Sequence, residues 1–381
     1  MTLLSDTQLL DKIFAHVDGR TSDKGDSVWR EPVENYSSEA RFQAELQVMR
    51  RLPVVFCPSG AVSEHGDYIS RVAAGVPLLV VRGEDGKVRA FRNACRHRGM
   101  QVAEGEGCKK TFICPYHNWA YGTDGALKHI PSSDGFPGID KATHGLVPVY
   151  DVQERSGLIF VTQDRPLSDG ALADLPDLLG EEQTVFNTIT VVDQANWKLI
   201  GETSMEGYHI RALHNKSFYP YGYDNLNVVE LFGRNSRIVF PFRRVQKLRD
   251  RPREEWSLQG CVTDVIQLFP NAHTSTLTNH VMLIILEPVS LNETRWIIYQ
   301  MRPTSADATF DEDKARRDAD FVQKTGLRED RAAAKSIQDA LPSGANTHFT
   351  FGHYEAAIAH FHRQLTDHVE MAEALHRHPK T

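Results

Sequence analysis

Asn93-Ala94-Cys95-Arg96-His97-Arg98-Gly99 and Ile113-Cys114-Pro115-Tyr116-His117-Asn118-Trp119 set two Cys/His pairs sixteen residues apart, in the pattern CxHx16CxxH. Each pair suits the tip of its own hairpin, and two facing tips present two thiolates and two imidazoles to one cofactor. A [2Fe–2S] cluster held by two cysteines on one iron and two histidines on the other takes this ligand set. Cys95 and Cys114 are then assigned to one iron, His97 and His117 to the other. The alternative is a tetrahedral zinc site from the same four residues, although zinc fingers usually open with CxxC or CxxxxC and close with paired histidines. Cys108 lies between the pairs, fits neither, and is read as structural.

Around these tips, short β-type runs at 68–72, 77–81, 88–91, 111–113, 127–130 and 157–161 alternate with turn chemistry. Glu84-Asp85-Gly86 and Thr123-Asp124-Gly125 are Asp-Gly turns of the kind that close tight hairpins. The region from about 53 to 162 therefore reads as a small antiparallel β domain. A Pro- and Asp-rich stretch over 164–180 leads to something different. A strand-like run at 184–192, a helical stretch at 197–213 and an aromatic loop at 218–223 come first, then strands at 236–241, 262–269, 281–286 and 295–301. Helical periodicity over 311–325, 328–341 and 354–375 closes the chain. Strands followed by helices make this half α+β.

A chain of 381 residues and 43.0 kDa, 41% hydrophobic and 24% charged, has room for two cores. Its 43 Lys+Arg against 50 Asp+Glu give a net charge of −7 without a basic block, which speaks against nucleic acid as a partner. Asp6, Asp11 and Lys12 interrupt the apolar residues at the N-terminus, and no stretch reaches membrane-spanning length, so neither a signal peptide nor a membrane span is expected. Five cysteines, an odd and sparse set, argue against a disulfide framework and for a reducing, cytoplasmic setting. Of seventeen histidines, those between His348 and His378 read as a solvated helix face.

The second informative stretch is Asn196-Trp197-Lys198-Leu199-Ile200-Gly201-Glu202-Thr203-Ser204-Met205-Glu206-Gly207-Tyr208-His209-Ile210-Arg211-Ala212-Leu213-His214. Glu206 and His209, three apart, share a helix face. His214 lies five beyond His209, so the helix must bend or end for both imidazoles to reach one ion. Two histidines and one carboxylate on one face hold non-heme oxygenase iron and leave positions open, which calls for a distant acid.

Both constellations resemble the alpha (oxygenase) subunits of Rieske non-heme iron oxygenases, the aromatic-ring-hydroxylating dioxygenases and Rieske monooxygenases. The family pattern is CPHRG followed by CPYHGW, then NWK, an acid and YHxxxxH; here Arg96 replaces the Pro, Asn118 the Gly, and Thr203 a common Asn. The resemblance runs from about residue 53 to the C-terminal helix. It implies an α+β chain with an N-terminal all-β Rieske [2Fe–2S] domain over 51–165 and a C-terminal helix-grip (START/Bet v1-like) catalytic domain over 166–381. Residues 1–50 are then an N-terminal helical segment packing on the catalytic domain, and the helix at 354–375 is the one gripped by the sheet.

For the site, the resemblance implies a mononuclear iron held by His209, His214 and Asp330, the last followed by Gln338 and Leu341 as in the family's acid–Gln–Leu pattern; Glu329, Asp320 and Asp339 are the competing acids. Glu206 stands where the family has a catalytic acid that bridges an iron-ligand histidine, here His209, to a cluster histidine, here His117, of the neighbouring chain in a homotrimer. Glu instead of Asp at this place recurs in oxidisers of quaternary amines. Tyr219, Tyr221 and Tyr223 are candidates for the cavity wall, and Phe269-Pro270-Asn271 resembles the family's sequence after a strand or reads as a turn.

The function so implied is that of a terminal oxygenase. Electrons pass from NAD(P)H through a separate reductase or ferredoxin to the cluster and on to Fe(II), O2 is the co-substrate, and a small organic molecule, an aromatic hydrocarbon or another C–H compound, is hydroxylated. The chain carries no Gly-rich dinucleotide fingerprint after a strand, in keeping with a separate reductase. The alternatives are an oxidative N- or O-demethylase or quaternary-amine monooxygenase and, in a different class, a Rieske electron carrier with no oxygenase activity.

Overall fold

The computed structural model describes residues 3–168, 170–173, 175–179, 184–303 and 310–377. Its contacts divide the chain into two compact units, residues 49–172 with 177–184, and residues 1–48 with 173–176 and 185–381. The connecting stretch expected over 164–180 lies partly outside the described residues.

The smaller unit is built from short antiparallel strands. One sheet runs Val88–Arg92, Val76–Arg82, Asp67–Ala73, Gly105–Cys108; a second runs Thr111–Ile113, Ala120–Gly122, Leu127–His129; a third runs Asp151–Arg155, Leu158–Thr162, Val54–Pro58. Every sequence-predicted strand of this region is present within a residue or two. Both Asp-Gly turns place their glycine at positive φ, 75° at Gly86 and 79° at Gly125. Phe91, Phe112, Tyr121 and Leu127 form the core, and Cys95 and Cys114 are buried in the same cluster.

The larger unit is organised by a seven-stranded antiparallel sheet in the order Val185–Asp193, Glu293–Met301, Val281–Ser290, Ala272–Thr276, Val262–Leu268, Asn235–Pro241, Val228–Phe232. Six of these strands form a meander, and the first strand adds to the edge of the last. The 22-residue helix Ala356–Arg377 packs on Val228–Phe232 and Asn235–Pro241, while Leu9, Leu10, Ile13 and Phe14 of Asp6–Gly19 join a cluster with Val228, Val239 and Val262. The fold class is thus α+β with a sheet against a long C-terminal helix.

Two expectations are corrected. Residues 197–213 do not form one helix: Trp197–Glu202 and Ile210–Leu213 are separate, and Glu206 and His209 lie at the break rather than on a common helix face. The break has a local cause, since the Glu206 carboxylate accepts hydrogen bonds from the Tyr208 and His209 backbone N–H groups and closes a turn there. The histidines of the C-terminal run are not all solvated either. His362 is fully buried and His368 nearly so, while His348 and His353 are exposed and His378 lies outside the described residues.

Candidate metal centres

The two cluster loops are built alike. The Cys95 N–H donates to the Met100 carbonyl at 2.8 Å and Gly99 N–H donates to the Cys95 carbonyl at 2.8 Å; the Cys114–Trp119 and Asn118–Cys114 pairs repeat this at 2.9 Å each. The fourth residue past each cysteine takes positive φ, 80° at Gly99 and 56° at Asn118. Asn is the side-chain-bearing residue that tolerates this conformation best, which explains how Asn118 replaces a glycine. The loops bring the His97 and His117 rings to 4.6 Å between centroids, with Trp119 stacked on His97 at 5.1 Å and the Tyr116 ring tilted against His117 at 3.7 Å.

A cluster fits these residues. The Nδ1 atoms of His97 and His117 are buried without a protein partner, and both cysteine thiols are buried. Burial, then the charges of His97 and Arg98, hold His117 below the ordinary imidazole range and so in its neutral, ligating form. One contact had no sequence signal: the Tyr121 hydroxyl lies 3.2 Å from Cys95 Sγ and accepts the Arg96 N–H at 3.0 Å. Burial and the Cys95 contact push the Tyr121 pKa well up, so the hydroxyl stays protonated and donates to sulfur. Cys108 is exposed, and its Sγ meets the His65 carbonyl at 3.5 Å.

The second centre is assembled from three places in the sequence. His209 caps the start of Ile210–Leu213, His214 its end, and Asp330 sits in the first half of Gly326–Ala340. His209 Nε2 and His214 Nε2 are 3.1 Å apart, and Asp330 Oδ1 lies 3.0 Å from His214 Nε2 and 3.5 Å from His209 Nε2. Two glycines allow this closeness. A Cβ on Gly207 would come within 2.3 Å of the Asn227 amide, and one on Gly326 within 2.1 Å of the Phe218 ring, which packs 4.9 Å from the His214 ring.

The other ring nitrogens fix the protonation. His209 Nδ1 faces Glu206 Oε1, and His214 Nδ1 faces Glu329 Oε2 at 2.7 Å, with the Ser217 hydroxyl donating to the same Glu329 oxygen at 2.6 Å. Carboxylates only accept, so each Nδ1 carries the hydrogen and each Nε2 presents a lone pair. In that tautomer two imidazole lone pairs and a carboxylate oxygen converge, an arrangement that could hold a metal ion. The electrostatics agree. Burial works against charge on both rings, yet Glu206 and Asp330 outweigh it at His209, and Asp330 and Glu329 at His214, so both pKa values rise: the carboxylates around the triad favour positive charge there, carried by ring protons or by a metal ion that displaces them.

The competing acids sort themselves by geometry. Glu329 holds His214 from behind rather than joining the triad; Asp320 pairs with Lys324 and Asp339 with Lys335 on exposed helix faces. The triad opens into a cavity of about 620 Å3 lined by Phe218, Tyr221, Tyr223 and the sheet residues Val265, His273 and Ile284 among others. Tyr221 and Tyr223 are wall residues as expected, whereas Tyr219 is not among them. Phe269–Pro270 is a cis peptide at the turn between two strands, and the Asn271 amide donates to the Leu286 carbonyl at 2.9 Å.

A β unit with the Cys95, His97, Cys114, His117 set and a two-histidine, one-carboxylate group on a cavity lined by sheet residues together define a class of two-centre redox proteins. Residues 53–150 match the Rieske [2Fe–2S] domain and residues 181–371 the ring hydroxylating alpha subunit (catalytic domain) family. The chain belongs to that alpha subunit family, and the zinc alternative falls with the Rieske match. It is 30% identical over 199 residues to the carnitine monooxygenase oxygenase subunit of Acinetobacter baumannii, covering 50% of this chain and 53% of that one. The match thus spans about half the length of that curated relative. Two solved structures share the fold. A quaternary ammonium Rieske monooxygenase, studied for carnitine oxidation and inter-subunit electron transfer, superposes with a TM-score of 0.76 at 21% identity over 89% of this chain and 95% of that one. Naphthalene 1,2-dioxygenase from Rhodococcus sp. bound to indole superposes at 0.75 with 20% identity over 97% and 98%.

Proposed function

We propose that the chain is the terminal component of a Rieske oxygenase, hydroxylating a small organic substrate with electrons received from a separate reductase or ferredoxin. The observation that carries this is the convergence of His209 Nε2, His214 Nε2 and Asp330 Oδ1 on the wall of a cavity, in a chain that also holds the Cys95, His97, Cys114, His117 set. An iron held by the triad supplies the binding and reduction of O2, as in other two-histidine, one-carboxylate sites. The residues of the chain do the rest. Glu206 and Glu329 keep His209 and His214 in the tautomer that offers Nε2, Asp330 balances the charge, and the Phe218–Tyr223 loop with the sheet floor encloses the substrate. Glu206 is also the residue proposed to couple His209 to His117 of a neighbouring copy in a homotrimer. The inter-subunit electron transfer described for the carnitine-oxidising structure supports this, and a solution mass of three chains tests it.

A quaternary-amine monooxygenase or an oxidative N- or O-demethylase is a second reading, the former favoured by Glu206 and by the carnitine monooxygenase relative; release of formaldehyde identifies the demethylase. The chain is proposed to act in the cytoplasm, and no helix among the described residues is long and apolar enough to cross a membrane. Metal and acid-labile sulfide analysis of anaerobically purified protein tests the main reading. About three irons and two sulfides per chain are expected, falling to about two irons with an intact cluster spectrum in His209→Ala. The same two irons before and after the substitution would leave only an electron carrier.

A further inference from the structure

The cavity has an unusual distribution of charge. Its floor is uncharged: Val265, Ser275, Met282 and Ile284 lie beside His273, which is 6% exposed and whose pKa burial drives down to about 4, hence neutral. The carboxylates on the wall are already engaged, Glu206 by His209, Asp330 by both triad imidazoles, and Asp318 by His280 Nδ1 at 3.0 Å and Asn279 N–H at 3.2 Å. At the mouth stand Arg243 and Arg244, both exposed.

In a chain of net charge −7, where Arg41, Arg82, Arg237 and Arg331 each pair with a carboxylate, these two adjacent guanidinium groups form no ion pair among the described residues. Their contacts are neutral. The Arg243 guanidinium lies 5.5 Å from the ring centroids of both Tyr219 and Tyr223, and that of Arg244 4.7 Å from Phe242 while donating to the Thr278 hydroxyl at 2.6 Å. Arg243 is also tied to the metal-site loop. Its N–H donates to the Tyr221 carbonyl at 2.7 Å, Tyr221 N–H donates to Phe218, and Phe218 N–H donates to His214.

Resting on the oxygenase reading, we propose that the substrate is a carboxylate with an apolar body, its anionic end bound by Arg243 and Arg244 at the mouth and its body lying over the uncharged floor towards the triad. Guanidinium groups are the preferred partners of carboxylates because two parallel N–H donors match two oxygens. A quaternary ammonium finds the opposite environment. On the wall, the Tyr223 ring that would otherwise stabilise a cation already has the Arg243 guanidinium 5.5 Å from its centroid, and each wall carboxylate is engaged by a protein partner.

The test uses the anaerobically purified iron-loaded protein and matched probe sets by calorimetry: benzoate, 3-phenylpropionate and 2-naphthoate, each against its neutral amide and its trimethylammonium analogue. At least one carboxylate is expected to bind about tenfold or more tightly than both analogues, and the preference is expected to vanish in Arg243→Gln/Arg244→Gln while amide binding stays unchanged. Equal binding of acid and amide across all three sets, tighter binding of a trimethylammonium, or a carboxylate preference that survives the double substitution each overturns the proposal. Iron content separates the two failures. Protein with about three irons and no carboxylate preference sinks the anion proposal alone, whereas protein with only the cluster irons sinks the oxygenase reading whatever the probes do.

Discussion

At the scale of single residues, the groups that ligate are less informative than those standing behind them. Glu329 enters the sequence reading as a rival ligand, and the structure gives it a different role, since it takes the His214 Nδ1 hydrogen at 2.7 Å and is itself fixed by Ser217. Replacing such an outer partner costs about 10–100-fold in metal affinity. Glu329→Ala is therefore expected to lose mononuclear iron to a competing chelator at a correspondingly lower concentration, with the cluster spectrum unchanged; wild-type retention would show that His214 is oriented without it. Tyr121 plays the equivalent part in the other centre. Its hydroxyl donates to Cys95 Sγ, and hydrogen bonds to sulfur stabilise the reduced, more negative cluster. Tyr121→Phe is expected to lower the cluster potential by on the order of tens of millivolts in a spectroelectrochemical titration. An unchanged potential would mean that the hydroxyl serves only the Arg96 N–H.

At the scale of elements, the Asn196-Trp197-Lys198 motif is a joint rather than a chemical group. Asn196 caps Trp197–Glu202 through the Lys198 N–H, while the Trp197 ring N–H and the Lys198 ammonium reach the same Glu45 oxygen of Glu39–Arg50 at 2.9 and 2.8 Å. Lys198 and Glu45 are both fully buried, so removing one charge strands the other. Lys198→Met is expected to destabilise this unit by roughly 3–5 kcal/mol in urea unfolding, and Lys198→Met with Glu45→Gln to recover part of that. A loss below about 1 kcal/mol in the single variant would mean that Arg41, 3.1 Å from Glu45, neutralises it alone. The same elements show what periodicity can reveal. The strand Val281–Ser290 is legible because its first six residues are an apolar run, and Val262–Leu268 because β-branched and apolar residues recur between polar ones. Ala272–Thr276 and Val228–Phe232 are not, since the first, Ala-His-Thr-Ser-Thr, is short and polar and is a strand only by pairing on both sides. The cluster motif was legible because its ligands come from two local loops. The second centre needs a residue over a hundred positions away, so only the resemblance pointed to Asp330, and nothing pointed to Arg243 or His273.

At the scale of the whole molecule, buried ionisable groups tie the larger unit together and make its stability depend on pH. His362, which its neighbours in sequence suggested was solvated, lies with Nδ1 3.4 Å from Glu31 and Nε2 2.8 Å from Glu202, and the Tyr36 hydroxyl donates to Glu202 at 2.6 Å. Strand Trp29–Pro32, helix Trp197–Glu202 and helix Ala356–Arg377 are thereby linked through one imidazole. Burial raises the Glu31 pKa, but His362, Asn35 and Trp29 together overcome it and bring it down from 4.5 to about 2. A carboxylate whose folded pKa is depressed stabilises the fold above its unfolded pKa and loses that contribution as pH falls through the folded value. The window for Glu31 is thus 4.5 down to about 2, with up to about 3 kcal/mol at stake. His362 has the opposite sign: burial lowers its pKa, Glu202 and Glu31 raise it above 6.5, so its contribution is complete below 6.5 and fades as pH rises past its folded value. Urea unfolding from about pH 2 to 9 should therefore show greatest stability from this network between 4.5 and 6.5. In Glu31→Gln the decline on the acid side should be shallower by that amount, because the amide has no proton to gain. An acid limb of identical slope in the variant would mean that Glu31 keeps its charge equally well in the unfolded chain, and that the buried imidazole is held by Glu202 alone.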